Sequence, residues 1–200
     1  MTKIKICGLS RPADIDCVNE LCPDYIGFVF AGSSRRHVTS EQAQALRARL
    51  CAGITPVGVF VNEPMENILA LINSKTIDAV QLHGDEDKDY IVKLKSLTDV
   101  PIIKAVPVRR AGDVQHWQTS AADYLLLDAP GGGTGQGFDW DAVGSTNKPF
   151  FLAGGLSPQN VTSAIEKLHP FAVDVSSGVE TNGIKEPAKM RDFIGRVQNG

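Results

Sequence analysis

The sequence predicts an α/β fold, a (β/α)8 barrel of the TIM type, on three observations. Eight short apolar runs recur at intervals of roughly 20–25 residues. Helix-like or turn-rich segments separate them, and the runs are rich in valine, isoleucine and leucine. Strands that are each followed by a helix pair in parallel through crossover connections, and eight such units match the eightfold plan of the barrel. An open doubly wound sheet is the structural competitor, which periodicity alone does not exclude. The chain has 200 residues, which suits a single catalytic domain over 1–200 with a substantial core.

In chain order the runs are KIKICGL (3–9), YIGFVF (25–30), TPVGVFV (55–61), AVQLHG (79–84), PIIKAVPV (101–108), DYLLLDA (123–129), PFFLAGG (149–155) and FAVDVSS (171–177). The helical patterns between them are clearest over 40–52, 64–74, 87–97, 158–168 and 185–198. Residues 11–22 are a candidate first helix, and 112–120 and 139–146 are weaker candidates. Thr39-Ser40-Glu41 offers a helix cap with an acid in the first turn. Ser157-Pro158 puts a proline at an expected first helical position.

Composition narrows the function classes. Hydrophobic residues make up 42% and charged residues 22%, as in ordinary globular chains, and the formal net charge is −3. A nucleic-acid partner is not expected without a polybasic footprint. No apolar run reaches the ~18–20 residues of a membrane span, so no membrane association is expected. The chain opens on a strand-like pattern rather than a charged, then apolar, export segment, which points to the cytoplasm. Cys7, Cys17, Cys22 and Cys51 are too sparse for a disulfide scaffold and match no zinc-site spacing, so no metal is expected.

Side chains alternate faces along a strand, which splits each run into two sets. Lys5 and Cys7 oppose Ile4 and Ile6; Gln81 and His83 oppose Val80 and Leu82; Asp128 shares a face with Leu126; Asp174 and Ser176 oppose Val173 and Val175. Lys104 sits opposite Ile103 and Ala105. With the apolar sets on the helices, the polar sets point inward. Lys5, Lys104 and Asp174 are then buried and need partners, for which a mutually neutralising network inside the barrel is one reading. Cys7, His83, Asp128 and Ser176 fall at the C-terminal ends of four strands, the face where barrel enzymes build active sites.

Gly154-Gly155 after the seventh run and Ser176-Ser177-Gly178 after the eighth occupy the usual phosphate-gripping loops of this fold. A phosphorylated small molecule is therefore the expected ligand. The cluster PGGGTGQG (130–137) lacks a P-loop ending; it reads either as a loop able to close beside Asp128 or as a flexible connector. In SSRRHV, Arg35 and Arg36 offer guanidinium groups suited to a carboxylate.

Taken together, KICGL (5–9), SRRHV (34–38), VQLHG (80–84), LLLDAPGGGTGQGFDW (125–140), FLAGGLSPQNV (151–161) and AVDVSSGVE (172–180) resemble the phosphoribosylanthranilate isomerase family of tryptophan biosynthesis. The matches run through essentially the whole chain in the family's order. The resemblance implies an Amadori rearrangement of N-(5′-phosphoribosyl)anthranilate, an aldose–ketose isomerisation that uses neither metal nor organic cofactor. It also implies Cys7 as general base, Asp128 as general acid and Arg36 as the holder of the anthranilate carboxylate. Gly154, Gly155, Ser176, Ser177 and Gly178 would hold the phosphate, and Asp174, Gln81 and His83 would complete the substrate site. One position departs: the family commonly has an aromatic residue after that arginine, where this chain has His37.

A thiol with a reference value of ~8.5 suits proton removal if neighbours tune it toward operating pH, and Lys5 is the neighbour expected to do so. The rival readings are another sugar-phosphate barrel enzyme, a binding protein that senses a phosphorylated metabolite, and a thiol-redox protein. Monomer and homodimer both fit the sequence.

Overall fold

The computed structural model describes residues 1–131 and 137–199; most of the glycine cluster, 132–136, lies outside the described residues. Eight parallel strands close into a barrel, each hydrogen-bonded to the next and β8 returning to β1. They are β1 Lys3–Cys7, β2 Tyr25–Val29, β3 Thr55–Phe60, β4 Ala79–Leu82, β5 Ile102–Pro107, β6 Tyr124–Asp128, β7 Phe150–Leu152 and β8 Ala172–Val175. Every one of the eight expected runs contains one of these strands. Closure excludes the open doubly wound sheet, which would leave two free edges.

The helices are α1 Pro12–Leu21, α2 Ser40–Arg47, α3 Met65–Asn73, α4 Lys88–Lys95, α5 Ala111–Trp117, α6 Val161–Leu168 and α7 Pro187–Asn199. Thr39 caps α2 as expected: its hydroxyl accepts from Gln42 N at 3.2 Å, and the Gln42 side chain accepts from Thr39 N at 2.9 Å. That helix stops at Arg47 rather than running to 52, because tighter i+3 bonds from Arg49 N to Leu46 O and Leu50 N to Arg47 O unwind its end.

Pro158 is not the first helical residue of α6. It lies in a turn where Asn160 ties the loop back, its side chain accepting from Ser157 N at 2.8 Å and donating to Gly155 O at 3.0 Å. The expected helix over 139–146 shrinks to a 3-10 turn, Trp140–Val143. After β8 come a 3-10 turn, Ser177–Val179, and an unexpected hairpin of β9 Glu180–Thr181 and β10 Ile184–Lys185.

Alternation places the side chains as the strand pattern requires. Ile4, Ile6, Leu125, Leu127, Val173 and Val175 pack outward in the large core under the helices. Val57, Ala79, Ile103, Ala105, Leu126, Phe151 and Ala172 fill the barrel interior. This corrects the expectation for Lys104. Since Ile103 and Ala105 face inward, Lys104 lies on the outer face, where Nζ donates to Gly84 O at 2.7 Å and Glu86 Oε2 at 3.0 Å, beside the Trp117 ring. Both faces of β5 are buried, so period-two alternation groups its side chains without saying which group is inside.

Lys5 does point inward. The β1–β8 register sets it directly across from Asp174, and Lys5 Nζ donates to Asp174 Oδ1 at 3.0 Å. The two form a buried ion pair in the barrel, in place of the wider network that included Lys104. Among the described residues, no helix is long and apolar enough to cross a membrane.

Candidate active site

The C-terminal ends of the strands open into a cavity of about 850 Å³. Cys7, Arg36, Gln81, His83, Asp128, Gly154, Gly155, Asp174, Ser176 and Ser177 all line it, so the structure brings together ten of the eleven site residues expected from sequence. Gly178 is the exception. It packs where a Cβ would run into the backbone carbonyl of Leu156, so its missing side chain lets the loops after β7 and β8 touch. His37 is exposed and outside the described lining, so the departure from the family pattern does not reach the cavity.

Cys7 closes β1 and is 8% exposed. Burial pushes its thiol above the ordinary value; Lys5 and Lys185 pull it down, and Asp174 pushes it further up. Lys5 pulls the thiol down, as expected, but burial outweighs it and the net direction is upward. Much of the Lys5 charge is already answered by Asp174. Burial also opposes the Lys5 ammonium, but Asp174 and Cys7 outweigh it and hold the lysine above its usual value.

Asp128 ends β6. Its Oδ1 accepts from Ala129 N at 2.8 Å, and its Oδ2 lies 3.3 Å from His83 Nε2. The Gln81 amide nitrogen sits 2.8 Å from His83 Nδ1, so the ring is held between the Gln81 amide and the Asp128 carboxyl. Gln81 and His83 share a face because they are two apart on one run, and together they form a relay ending on Asp128. The other amide atom, Gln81 Oε1, is buried without a partner among the described residues.

Arg36 is 8% exposed and held from behind. Its Nε donates to Glu180 Oε1 at 2.7 Å and its Nη2 to Glu180 Oε2 at 2.8 Å, a two-point fork. Arg35 Nη2 donates to Glu180 Oε2 at 2.9 Å and Lys185 Nζ to Oε1 at 2.6 Å. Burial works against the Glu180 carboxylate, but the hydrogen bonds from Arg36 and Lys185 outweigh it and hold the group down at about 2. Lys185 also donates to Ser176 O at 2.9 Å, and Ser176 Oγ donates to Cys7 O at 3.0 Å, so the clamp and the thiol strand are braced together.

Sequence reasoning missed Glu180 and Lys185. A signal was present: Asn182-Gly183, both at positive φ, is the turn pair that most strongly announces a tight hairpin. Recognising that hairpin pairs Lys185 with Glu180 in register. Glu86, the partner of Lys104, was also missed, and nothing in its loop marks it. Among the described residues, no three His, Cys, Asp or Glu side chains gather as a metal site.

Known proteins share both sequence and architecture with this chain. The family model for N-(5′phosphoribosyl)anthranilate (PRA) isomerase matches residues 4–196. An N-(5′-phosphoribosyl)anthranilate isomerase of Endomicrobium trichonymphae is 47% identical over 198 residues, covering 97% of each chain. The crystal structure of phosphoribosyl anthranilate isomerase from Thermotoga maritima superposes with a TM-score of 0.92 at 35% identity, covering 100% of both chains. A second crystal structure, of the isomerase in complex with reduced 1-(o-carboxyphenylamino)-1-deoxyribulose 5-phosphate, matches at a TM-score of 0.87 and 35% identity, again with full coverage of both. With a family match across nearly its whole length and relatives that share its closed barrel, the chain belongs to the N-(5′-phosphoribosyl)anthranilate isomerase family.

Proposed function

We propose that this protein converts N-(5′-phosphoribosyl)anthranilate into 1-(o-carboxyphenylamino)-1-deoxyribulose 5-phosphate in tryptophan biosynthesis. The reaction is an Amadori rearrangement, an intramolecular oxidoreduction that turns an aldose into a ketose. The observation that carries this reading is one cavity lined by a buried thiol, a carboxyl group with a histidine relay, an arginine and two phosphate-type loops.

Asp128 is the general acid. It protonates the furanose ring oxygen as the nitrogen lone pair opens the ring to a cationic Schiff base. The acid must carry a proton for this step, and its Oδ2 lies 3.3 Å from His83 Nε2, with Gln81 holding the ring from the other side. Cys7 is the general base. The adjacent iminium acidifies C2′, and its positive charge favours the thiolate that the free site disfavours. The enolamine left after that proton transfer then tautomerises to the ketone.

Arg36 holds the anthranilate carboxylate, while Gly154, Gly155, Ser176, Ser177 and Gly178 receive the phosphate. Asp174 acts from below by fixing Lys5. In this reading residues 1–200 work as one catalytic domain, monomer or homodimer, in the cytoplasm. The partner is a small phosphorylated molecule, with no metal or organic cofactor and with neither nucleic acid nor membrane involved.

The test generates phosphoribosylanthranilate in situ and follows the loss of its fluorescence on adding protein. Cys7→Ala and Asp128→Ala are each expected to lower kcat by ~10²–10⁴-fold. Arg36→Met is expected to act mainly by raising KM. Near wild-type kcat in either of the first two variants would refute its assignment.

A further inference from the structure

We infer that Glu180, backed by Lys185 of the hairpin, is a positioning residue for Arg36 and sets the preference for substrates that carry a carboxylate on the aromatic amine. The inference rests on the reading of Arg36 as the carboxylate clamp. Arg36 lines the cavity, whereas Glu180 does not belong to its described lining and sits behind the guanidinium. The fork from Nε and Nη2 to the two Glu180 oxygens, at 2.7 and 2.8 Å, fixes one edge of a planar group. That leaves Nη1 and the second Nη2 hydrogen as donors for a ligand. A guanidinium on a long flexible stem loses conformational freedom when it binds, and here that cost is met before the substrate arrives.

The hairpin explains why Glu180 itself does not swing. Asn182 and Gly183 both adopt positive φ, 52° and 80°, and return the chain so that Lys185 pairs with Glu180 in register. Lys185 Nζ then reaches Glu180 Oε1 at 2.6 Å and Ser176 O at 2.9 Å, with its side chain almost wholly buried. Three cations, Arg35, Arg36 and Lys185, surround the single Glu180 carboxylate, so the cluster stays positive overall and still attracts an anion.

Charge and orientation predict opposite outcomes when Glu180 is neutralised. By charge alone, Glu180→Gln makes the site more positive and tightens binding of a carboxylate. By orientation, it frees the guanidinium and weakens that binding. The experiment measures kcat/KM on phosphoribosylanthranilate and on its phosphoribosylaniline analogue, which lacks only the carboxylate, with product followed by chromatography. The ratio of the two is the discrimination factor.

Arg36→Met is expected to collapse the factor. Glu180→Gln and the charge-balanced double variant Glu180→Gln/Lys185→Met are expected to lower it by about 10-fold, through KM for the carboxylated substrate. The double variant removes both buried charges together, so it carries the test if the single one does not fold. A factor that holds or rises in both, while Arg36→Met collapses it, overturns the positioning role alone; so does a loss shared equally by the two substrates. A factor unmoved by Arg36→Met overturns the clamp reading, and the positioning role with it.

Discussion

At the scale of single residues, Cys7 and Lys5 show how far a strand pattern reaches. Their shared face was legible from spacing, because alternation is a property of the backbone. The balance of forces on the thiol was not. It depends on Asp174, distant in sequence, answering the lysine from across the β1–β8 pairing. Lys5→Met is expected to move the Cys7 thiol further up, since burial then acts with less opposition. Thiolate absorbance against pH reads this, and an unmoved midpoint would remove Lys5 from the tuning of the base. The same variant strands Asp174 as an unpaired buried carboxylate, at an expected cost of about 3–5 kcal/mol in denaturant unfolding. Lys104 is the converse case: it too was expected inside, yet it ends on the outer face with Glu86. A lysine between apolar neighbours tells the reader that it needs a partner, not on which side of the sheet the partner waits.

At the scale of elements, the eight strands were legible because each is a short run rich in β-branched, leucine or aromatic residues and bounded by turns. Helix ends were less so. Pro158 suggested a first turn of α6 that the Asn160 bonds to Ser157 and Gly155 instead hold as a separate loop. The β9–β10 hairpin escaped notice because its strands are two residues each, too short for any periodicity. Its Asn-Gly turn was the only local sign. The contact between the loops after β7 and β8 is also testable at this scale. Gly178→Ala drives a methyl group toward the Leu156 carbonyl, where backbone rather than a flexible side chain would have to yield. The expected loss is about 1–3 kcal/mol in thermal or denaturant unfolding, together with weaker inhibition by inorganic phosphate. Wild-type stability and unchanged phosphate inhibition would show that the two loops move independently.

At the scale of the whole molecule, ring closure gathers Cys7, Gln81, Asp128 and Asp174 from β1, β4, β6 and β8 around one cavity, and the site therefore depends on the stability of the fold. Glu180 gives that dependence a pH signature. Its carboxyl is held at about 2 in the folded protein, against an ordinary value of 4.5, so the folded state binds its proton less readily than the unfolded chain does. The stabilisation is fully present above the unfolded value and is lost as pH falls from about 4.5 toward about 2. Urea unfolding across that window should show the stability gap between wild type and Glu180→Gln shrinking as pH falls; a constant gap would contradict it. The sequence by itself determined the eightfold βα plan, the inward face of β1, β4, β6 and β8, and the chemistry-bearing residues at the strand ends. All of these follow from local backbone periodicity and from motifs contiguous in the chain. Only the tertiary structure decided which face of β5 is inside, that burial outweighs Lys5 at the thiol, and that Glu180 and Lys185 stand behind Arg36. Each of these is a contact between side chains far apart in sequence, set by sheet register and ring closure, and no local pattern encodes the distance between them.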